Sequence, residues 1–358
     1  MTSVGEDMNQ SFRKLAFFVH TAEMVNHYQS VWHLLGADEF DVLLHGSPAE
    51  IHESKALIEG LGYRCYTTYF IIAQGYQYDI VVSNHSMFPY AGRPLIHVLG
   101  KRRVRFMYAL GKARHNFSSW NQDYDLILCF GPWQDAKLKK CCSAVTFQMG
   151  YPRYDAYFHT HEGKYQIYDE LGLDRSKKTV LWLPTWLELS SLPDYADVMS
   201  SLCNQYNVIV KTHPLSATNE PESLKPLEHY GFTKVITNVY DNIKLFYCSD
   251  YVFCDYGGTP FGALYLDKNL LLLNLPGAEH NDLTGEDSPD INLRQDIVSV
   301  DIENRWHIPS LLADESLWEM QKIQRKNLRS LYFSPSYGFS SELAVLALKN
   351  IERLLIQG

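Results

Sequence analysis

Residues 249–274 read SDYVFCDYGGTPFGALYLDKNLLLLN. Tyr251 to Cys254 form a short apolar strand that stops at Asp255. A Gly257-Gly258 turn and Thr259 follow. Phe261, Ala263, Leu264 and Leu266 then cover one side of a helix that ends near Asp267-Lys268, and Leu270 to Asn274 give a second strand. Strand, turn, helix and strand in this order build a parallel sheet. The start of a helix presents unpaired N–H groups and the positive end of its dipole. Two glycines bring an anion close to such N–H groups, and Thr259 adds a hydroxyl at or near the N-cap. The turn therefore suits a phosphate or diphosphate. Taken alone, it fits a tight turn with no ligand equally well.

Two other stretches end in the same way. Lys178 to Trp186, KTVLWLPTW, is an apolar strand that stops at Pro184-Thr185. Asn207 to Pro214, NVIVKTHP, stops at Lys211-Thr212-His213-Pro214. In a parallel α/β sheet the C-terminal ends of the strands open onto one crevice. Lys211, His213, Thr185, Thr259 and the Gly-Gly turn would converge there, a set of groups suited to a diphosphate.

In order and spacing, these segments resemble the C-terminal domain of the CDP-glycerol glycerophosphotransferases of teichoic-acid and capsule synthesis. Leu183-Pro184-Thr185-Trp186 stands where that family has Ala-Pro-Thr-Trp. Lys211-Thr212-His213-Pro214 matches Arg/Lys-x-His-Pro, and Asp255-Tyr256-Gly257-Gly258 stands for Asp-Tyr-Ser-Ser. Gly150-Tyr151-Pro152-Arg153-Tyr154-Asp155 resembles the family's interdomain Gly-x-Pro-Arg-x-Asp. The match covers roughly residues 120 to 280. It departs at Phe261-Gly262, where the family has Phe-Asp. The resemblance implies a GT-B fold: α/β, two Rossmann-like domains with parallel sheets facing a cleft, the nucleotide donor held by the second. The expected units are an acceptor domain over 1–160, a donor domain over 161–335 and a C-terminal helix over 336–358 packing back on the first domain.

A chain of 358 residues is comfortable for two cores. Its net charge of −9 argues against general affinity for nucleic acid. One basic patch stands out, Lys101-Arg102-Arg103 with Arg105, then Lys112 and Arg114. The 7 cysteines show no paired metal spacing and read as thiols of a reduced, cytosolic protein. A polar start, MTSVGEDMNQ, argues against a signal peptide, and no apolar run nears the ~20 residues of a membrane helix. The expected place is the cytoplasm, with peripheral contact at the inner face of the membrane through Lys101 to Arg105.

Ahead of the donor half, strands are predicted over 14–19, 40–44, 63–72, 79–83, 104–108 and 125–130, with helices over 27–35, 48–61, from 94 and over 133–140. The second half carries strands at 178, 207, 234, 251 and 270 and helices over 191–205, 222–230 and 241–248. Two amphipathic helices, 317–331 and 340–356, close the chain.

The residues divide into two sets. On the donor side, His213 can give a hydrogen bond, or a proton if charged, to the leaving phosphate, and Lys211 supplies positive charge. Backbone N–H groups from Gly257 to Thr259 would stabilise the departing nucleotide, with Thr185 beside them. Asp255 either holds the turn or touches the donor. On the acceptor side, the family's Trp-His-Gly-Thr-Pro supplies the usual base, and Tyr108 stands here where that His is expected. Among the strand-end histidines His20, His45 and His85, and His115 beyond them, His85 is the preferred substitute and His20 the second. Lys112 and Arg114 would bind a phosphorylated acceptor. Asp123-Tyr124-Asp125 has metal-motif spacing but opens a strand at the wrong edge, so no obligatory metal or other cofactor is expected.

The resemblance implies a transferase that moves glycerol phosphate or a related polyol phosphate from a CDP-activated donor to a hydroxyl of a cell-surface glycan or lipid-linked precursor. A glycosyltransferase with a nucleotide-sugar donor, a non-catalytic GT-B binding domain and a sugar epimerase share the fold and stand as rivals.

Overall fold

The computed structural model describes residues 11–159, 163–238, 240 and 242–357. Residues 1–10, residues 160–162 at the expected domain boundary, the first residue of the helix expected over 241–248 and the last residue of the chain lie outside the described residues. In the first half, β1 (Leu15–Val19), β2 (Phe40–Leu44), β3 (Cys65–Thr67), β4 (Tyr78–Ser83), β5 (Gly100–Phe106), β6 (Leu126–Cys129) and β7 (Val145–Gln148) form one sheet. Their order is β3-β2-β1-β4-β5-β6-β7, and every pairing is parallel. In the second half, β8 (Thr179–Leu183), β9 (Asn207–Lys211), β10 (Lys234–Ile236), β11 (Tyr251–Cys254), β12 (Asn269–Leu273) and β13 (Ser299–Val300) form another. It runs β10-β9-β8-β11-β12-β13, again parallel throughout.

Continuous apolar runs explain these sheets. Every residue of β1, β2, β8, β9 and β11 is buried, as expected of parallel strands covered by helices on both faces. Each sheet reverses its winding at its first strand: β1 lies between β2 and β4, and β8 between β9 and β11. Crevices beyond the strand C-termini at such points are where ligands bind in open α/β sheets. The two switch points open onto one cavity.

Helix α1 (Val25–Leu35) follows β1 through a turn at Ala22–Met24, and α2 (Pro48–Gly60) follows β2. Ser47 caps α2 as the sequence indicates: Ser47 Oγ accepts from Glu50 N at 3.4 Å, and Glu50 Oε2 accepts from Ser47 N at 2.8 Å. The short α3 (Thr259–Tyr265) carries the Gly-Gly turn's helix. At the C-terminus come α4 (Glu315–Tyr332), α5 (Ser340–Lys349) and α6 (Ile351–Gln357). The last two replace the single expected helix, which breaks at Asn350. Helix α5 packs on α1, and Arg102 of β5 pairs with Glu352 of α6 at 2.8 Å. Among the described residues, no helix is long and apolar enough to cross a membrane.

Three local readings change. The strand expected over 63–72 is confined to β3, because Thr67 caps a helix at Thr68–Ala73 by accepting from Phe70 N at 3.2 Å. Strands β7 and β13 were not anticipated; both are short edge strands without a strong apolar signal. The basic patch is not a free cationic surface, because β5 begins at Gly100 and carries it into the sheet. Lys101 pairs with Asp79 at 2.8 Å and Arg103 with Asp125 at 2.6 Å. Arg105 is fully buried, its guanidinium 4.2 Å from the Trp120 ring and donating to Asn84 O at 3.0 Å and Asn116 O at 2.7 Å.

The carboxylate of Asp155 clasps the C-terminal helices to the rest. It accepts from Ser340 N at 3.1 Å, Ser341 N at 2.6 Å and Ser341 Oγ at 2.7 Å, and it is buried. Removing it leaves buried donors unpaired, at about 1–3 kcal/mol each. Asp155→Ala should lower the melting temperature and should raise amide hydrogen exchange selectively over 340–349. A variant with unchanged exchange there would show that α5 is held by its apolar face alone.

Candidate functional site

The cavity at the two switch points has a volume of about 710 Å³, ample for a nucleotide-sized ligand. Its walls come from the chain beyond β1, β5, β8, β9, β10 and β11.

Asp255 holds the donor wall together. Its carboxylate is fully buried and accepts from Thr185 N at 2.9 Å, Ser191 N at 2.8 Å, Ser191 Oγ at 2.9 Å and Tyr256 N at 2.8 Å. It thereby ties the exit of β8 to the exit of β11. Burial pushes its pKa up to about 6, while the surrounding donors favour the anion. Its oxygens are spent on this clasp, the arrangement of a group that holds the turn.

The Gly-Gly turn is partly committed too. Gly257 has φ +94°, a left-handed conformation that favours glycine, and its N–H donates to Asp290 Oδ2 at 3.0 Å. The N–H groups of Gly258 and Thr259 donate to no other described residue. Gly258, not Thr259, is the N-cap, without a side-chain cap; the Thr259 hydroxyl turns to the Cys254 thiol.

Lys211 ends β9 almost wholly buried, with Nζ donating only to Thr212 O at 3.0 Å. Among the described residues no carboxylate pairs with it. Burial pushes its pKa down to about 8, against the opposing charge of Glu23. His213 caps the helix Pro214–Asn219, its Nδ1 accepting from Leu215 N at 3.2 Å. Its ring stacks on Trp186 at 5.7 Å, and burial pushes its pKa down to about 4. With Nδ1 an acceptor, the neutral ring carries its hydrogen on Nε2. His213 is thus a neutral hydrogen-bond donor. Thr185 lines the cavity beside them.

Lys112 sits in a left-handed conformation, φ +57°, with Nζ 5.9 Å from the Trp186 ring. Its neighbour Gly111 approaches the Gly-Gly turn so closely that a Cβ there would meet Gly257 O at an impossible separation. Lys112 therefore lies beside the Gly-Gly turn of the second half. Burial lowers its pKa, opposed by Asp290, Asp255 and Glu23. Arg114 is exposed, packs at Gly285 and does not line the cavity, so its expected acceptor role has no support in the geometry.

On the acceptor side, Tyr108 lines the cavity with its ring edge-on to His27 at 5.7 Å, and burial raises its phenol pKa. His20 also lines it, while the preferred His85 stands behind His20, outside the lining. The two share an Nε2–Nε2 hydrogen bond of 3.1 Å. Burial pushes His20 down to about 4 and His85 to about 3, so both rings are neutral. His45 bonds Thr68 Oγ1 at 2.8 Å, and His115 lies against Trp120 at 5.7 Å; neither lines the cavity.

Several groups in or behind the cavity wall escaped sequence reasoning. Asp290 receives the Ser288 hydroxyl as well as Gly257 N, and Ser288 Oγ accepts from Ala113 N at 3.1 Å, so a loop beyond β12 joins the turns of both halves. Glu23, Arg153 and Trp186 line the cavity as well. Arg153 was visible as part of the Gly-x-Pro-Arg-x-Asp match; Asp290 and Glu23 carry no motif. Among the described residues, no group of three or more His, Cys, Asp or Glu is placed to hold a metal ion.

Two facing parallel sheets with a cavity at both switch points define the GT-B class. The chain belongs to the family described as CDP-glycerol:poly(glycerophosphate) glycerophosphotransferase, whose family model matches residues 92–273. It is 27% identical over 137 residues to the teichoic acid poly(glycerol phosphate) polymerase of Bacillus spizizenii, which spans 35% of this chain and 34% of that protein. The chain thus spans about a third of the length of the curated relative it matches, 34%. Its fold is similar to the wall teichoic acid polymerase TagF, with TM-score 0.65, 14% identity and coverage of 96% of this chain and 90% of that one. A variant of TagF soaked with CDPG gives TM-score 0.64 at 14% identity, covering 96% and 89%. Anabaena Alr3699/HepE in complex with UDP and glucose aligns with TM-score 0.60 at 10% identity, covering 95% and 100%.

The Lys211 ammonium loses its proton as pH rises through about 8, so its attraction for a diphosphate is present below that pH and fades above it. Affinity for CDP, measured by calorimetry, should fall above pH 8 by up to about tenfold per unit. Lys211→Met should bind weakly at every pH. A wild-type affinity flat to pH 9.5 would place another cation on the phosphates.

Proposed function

We propose that this chain transfers glycerol phosphate, or a related polyol phosphate, from a CDP-activated donor to a hydroxyl of a glycan or lipid-linked acceptor. The observation that carries this reading is Lys211: a buried ammonium with one carbonyl partner, beside the Nε2–H of His213 and the unpaired N–H groups of Gly258 and Thr259. A buried cation without a counter-charge calls for an anion, and this cavity is large enough to supply one as a nucleoside diphosphate.

The acceptor oxygen attacks the donor's β-phosphorus, and cytidine monophosphate leaves. Charge grows on the leaving phosphate as the bond breaks. Lys211 and Lys112 offset it through space, and His213 Nε2–H and the turn N–H groups meet it directly. His213 acts as a hydrogen-bond donor and not as an acid, because Leu215 N–H already occupies Nδ1 and blocks the doubly protonated ring. The leaving phosphate needs no proton, since a phosphate monoester has its second pKa near ~6. The acceptor enters from the first lobe, between Tyr108 and the exit of β1.

A thermal-shift series with CDP-glycerol, CDP-ribitol, CDP, CMP, UDP and UDP-sugars tests this reading. We expect a cytidine-selective rise in melting temperature. In His213→Ala, binding should weaken about tenfold or more, the worth of a hydrogen bond to a charged group. A uridine-selective shift would make the chain a nucleotide-sugar glycosyltransferase, and no shift with any nucleotide would remove the donor site.

A further inference from the structure

We infer that Glu23 is the base that accepts the acceptor hydroxyl's proton, an assignment that rests on the transfer proposed above. Glu23 sits in the turn Ala22–Met24 directly after β1, at the first sheet's switch point, and lines the same cavity as Lys211 and His213. It is half-buried, and no hydrogen bond or ion pair to another described residue holds its carboxylate.

The other cavity groups are engaged or poorly placed, His27 among them, whose Nε2 lies 3.1 Å from Arg153 Nη1. Asp255 and Asp290 accept backbone N–H groups at the donor turn. Glu50 is engaged with Ser47 at 2.8 Å, and Glu53 is exposed. Tyr108, where the family's His is expected, is a phenol whose buried ring resists ionisation. His20 has Nε2 tied to His85, and its burial leaves an imidazole that holds a proton weakly. Glu23, by contrast, presents two oxygens with unspent lone pairs. Its charge is also the foremost one acting on both Lys211 and His213, with which it shares the cavity.

The step balances. The acceptor oxygen bonds to the β-phosphorus while that phosphorus loses its bond to the bridging oxygen. The bridging electron pair leaves with cytidine monophosphate, and the acceptor's proton passes to a Glu23 carboxylate oxygen. A carboxylate at a helix entrance can also act on the helix dipole alone. That role would alter stability but would not respond to an added small carboxylate.

The test uses the full chain with CDP-glycerol, reading release of cytidine monophosphate with glycerol or water as acceptor. Glu23→Gln should cut release by ~10²–10⁴-fold, the usual worth of a general base. Its CDP affinity should stay within about threefold of wild type, since the loss lies in the chemical step. Added formate should restore part of the rate to Glu23→Ala, and Glu23→Asp should retain more activity than Glu23→Gln. A Glu23→Gln rate within about threefold of wild type overturns the assignment while leaving the transfer intact. So does a loss that follows His20→Asn instead, or one without formate rescue that accompanies lost CDP binding. Wild type that binds CDP but releases no cytidine monophosphate overturns the transfer and its base together.

Discussion

A cation buried at a strand end without a counter-charge is the constraint around which the donor half is arranged. Taking the Lys211 ammonium out of water is unfavourable, and the fold does not compensate it with a carboxylate. Two of the nearby acids are used elsewhere, while Glu23 acts on it without pairing. Asp255 faces backbone N–H groups of the β8 exit, and Asp290 faces Gly257 N. The protein thus keeps its carboxylates as rivets and its amines as open charges. The lowered pKa of Lys211 records that imbalance, and a bound diphosphate would relieve it.

The rivets explain why the strand-end motifs stand in fixed relation. Thr185 and Ser191 follow β8, Asp255 ends β11, and one carboxylate fixes both exits. The Trp186 ring then lies flat against His213, which follows β9, so three strand exits present one face. Stacking and the Leu215 N–H together orient the imidazole and fix its tautomer. Asp255, which in the sequence could either hold the turn or touch a ligand, holds the exits of two strands together.

The sheets were legible because their strands are continuous apolar runs that stop at small, basic or hydroxyl residues, as in VIVKTHP. The basic run at 101–105 is only partly a charged surface, because charge alone does not report register: β5 buries Arg105 against Asn84, Asn116 and Trp120, and its neighbours find carboxylates. Lys112 was assigned to the acceptor by its position in the first half, whereas its left-handed backbone aims it at the donor turn. Asp290 and Glu23 left no signal, since each acts through tertiary placement alone: one sits in the short helix Pro289–Asn292 beyond β12, the other in a single turn after β1.

The same contacts make the donor turn a joint product of both lobes. Gly111 of the first half lies against Gly257 O of the second, an approach that no larger residue permits. Ala113 N is held by Ser288, whose hydroxyl reaches Asp290, whose other oxygen takes Gly257 N. Lys112 is strained into its left-handed conformation between these two tethers, at a cost of about 1–2 kcal/mol that isolated chain would not sustain. A separated second lobe would keep Lys211 and His213 but lose Lys112 and the brace on Gly257. Under the proposed function, donor binding would therefore need both lobes, because the residues that line the cavity, Glu23 and Lys211 among them, come from both sheets.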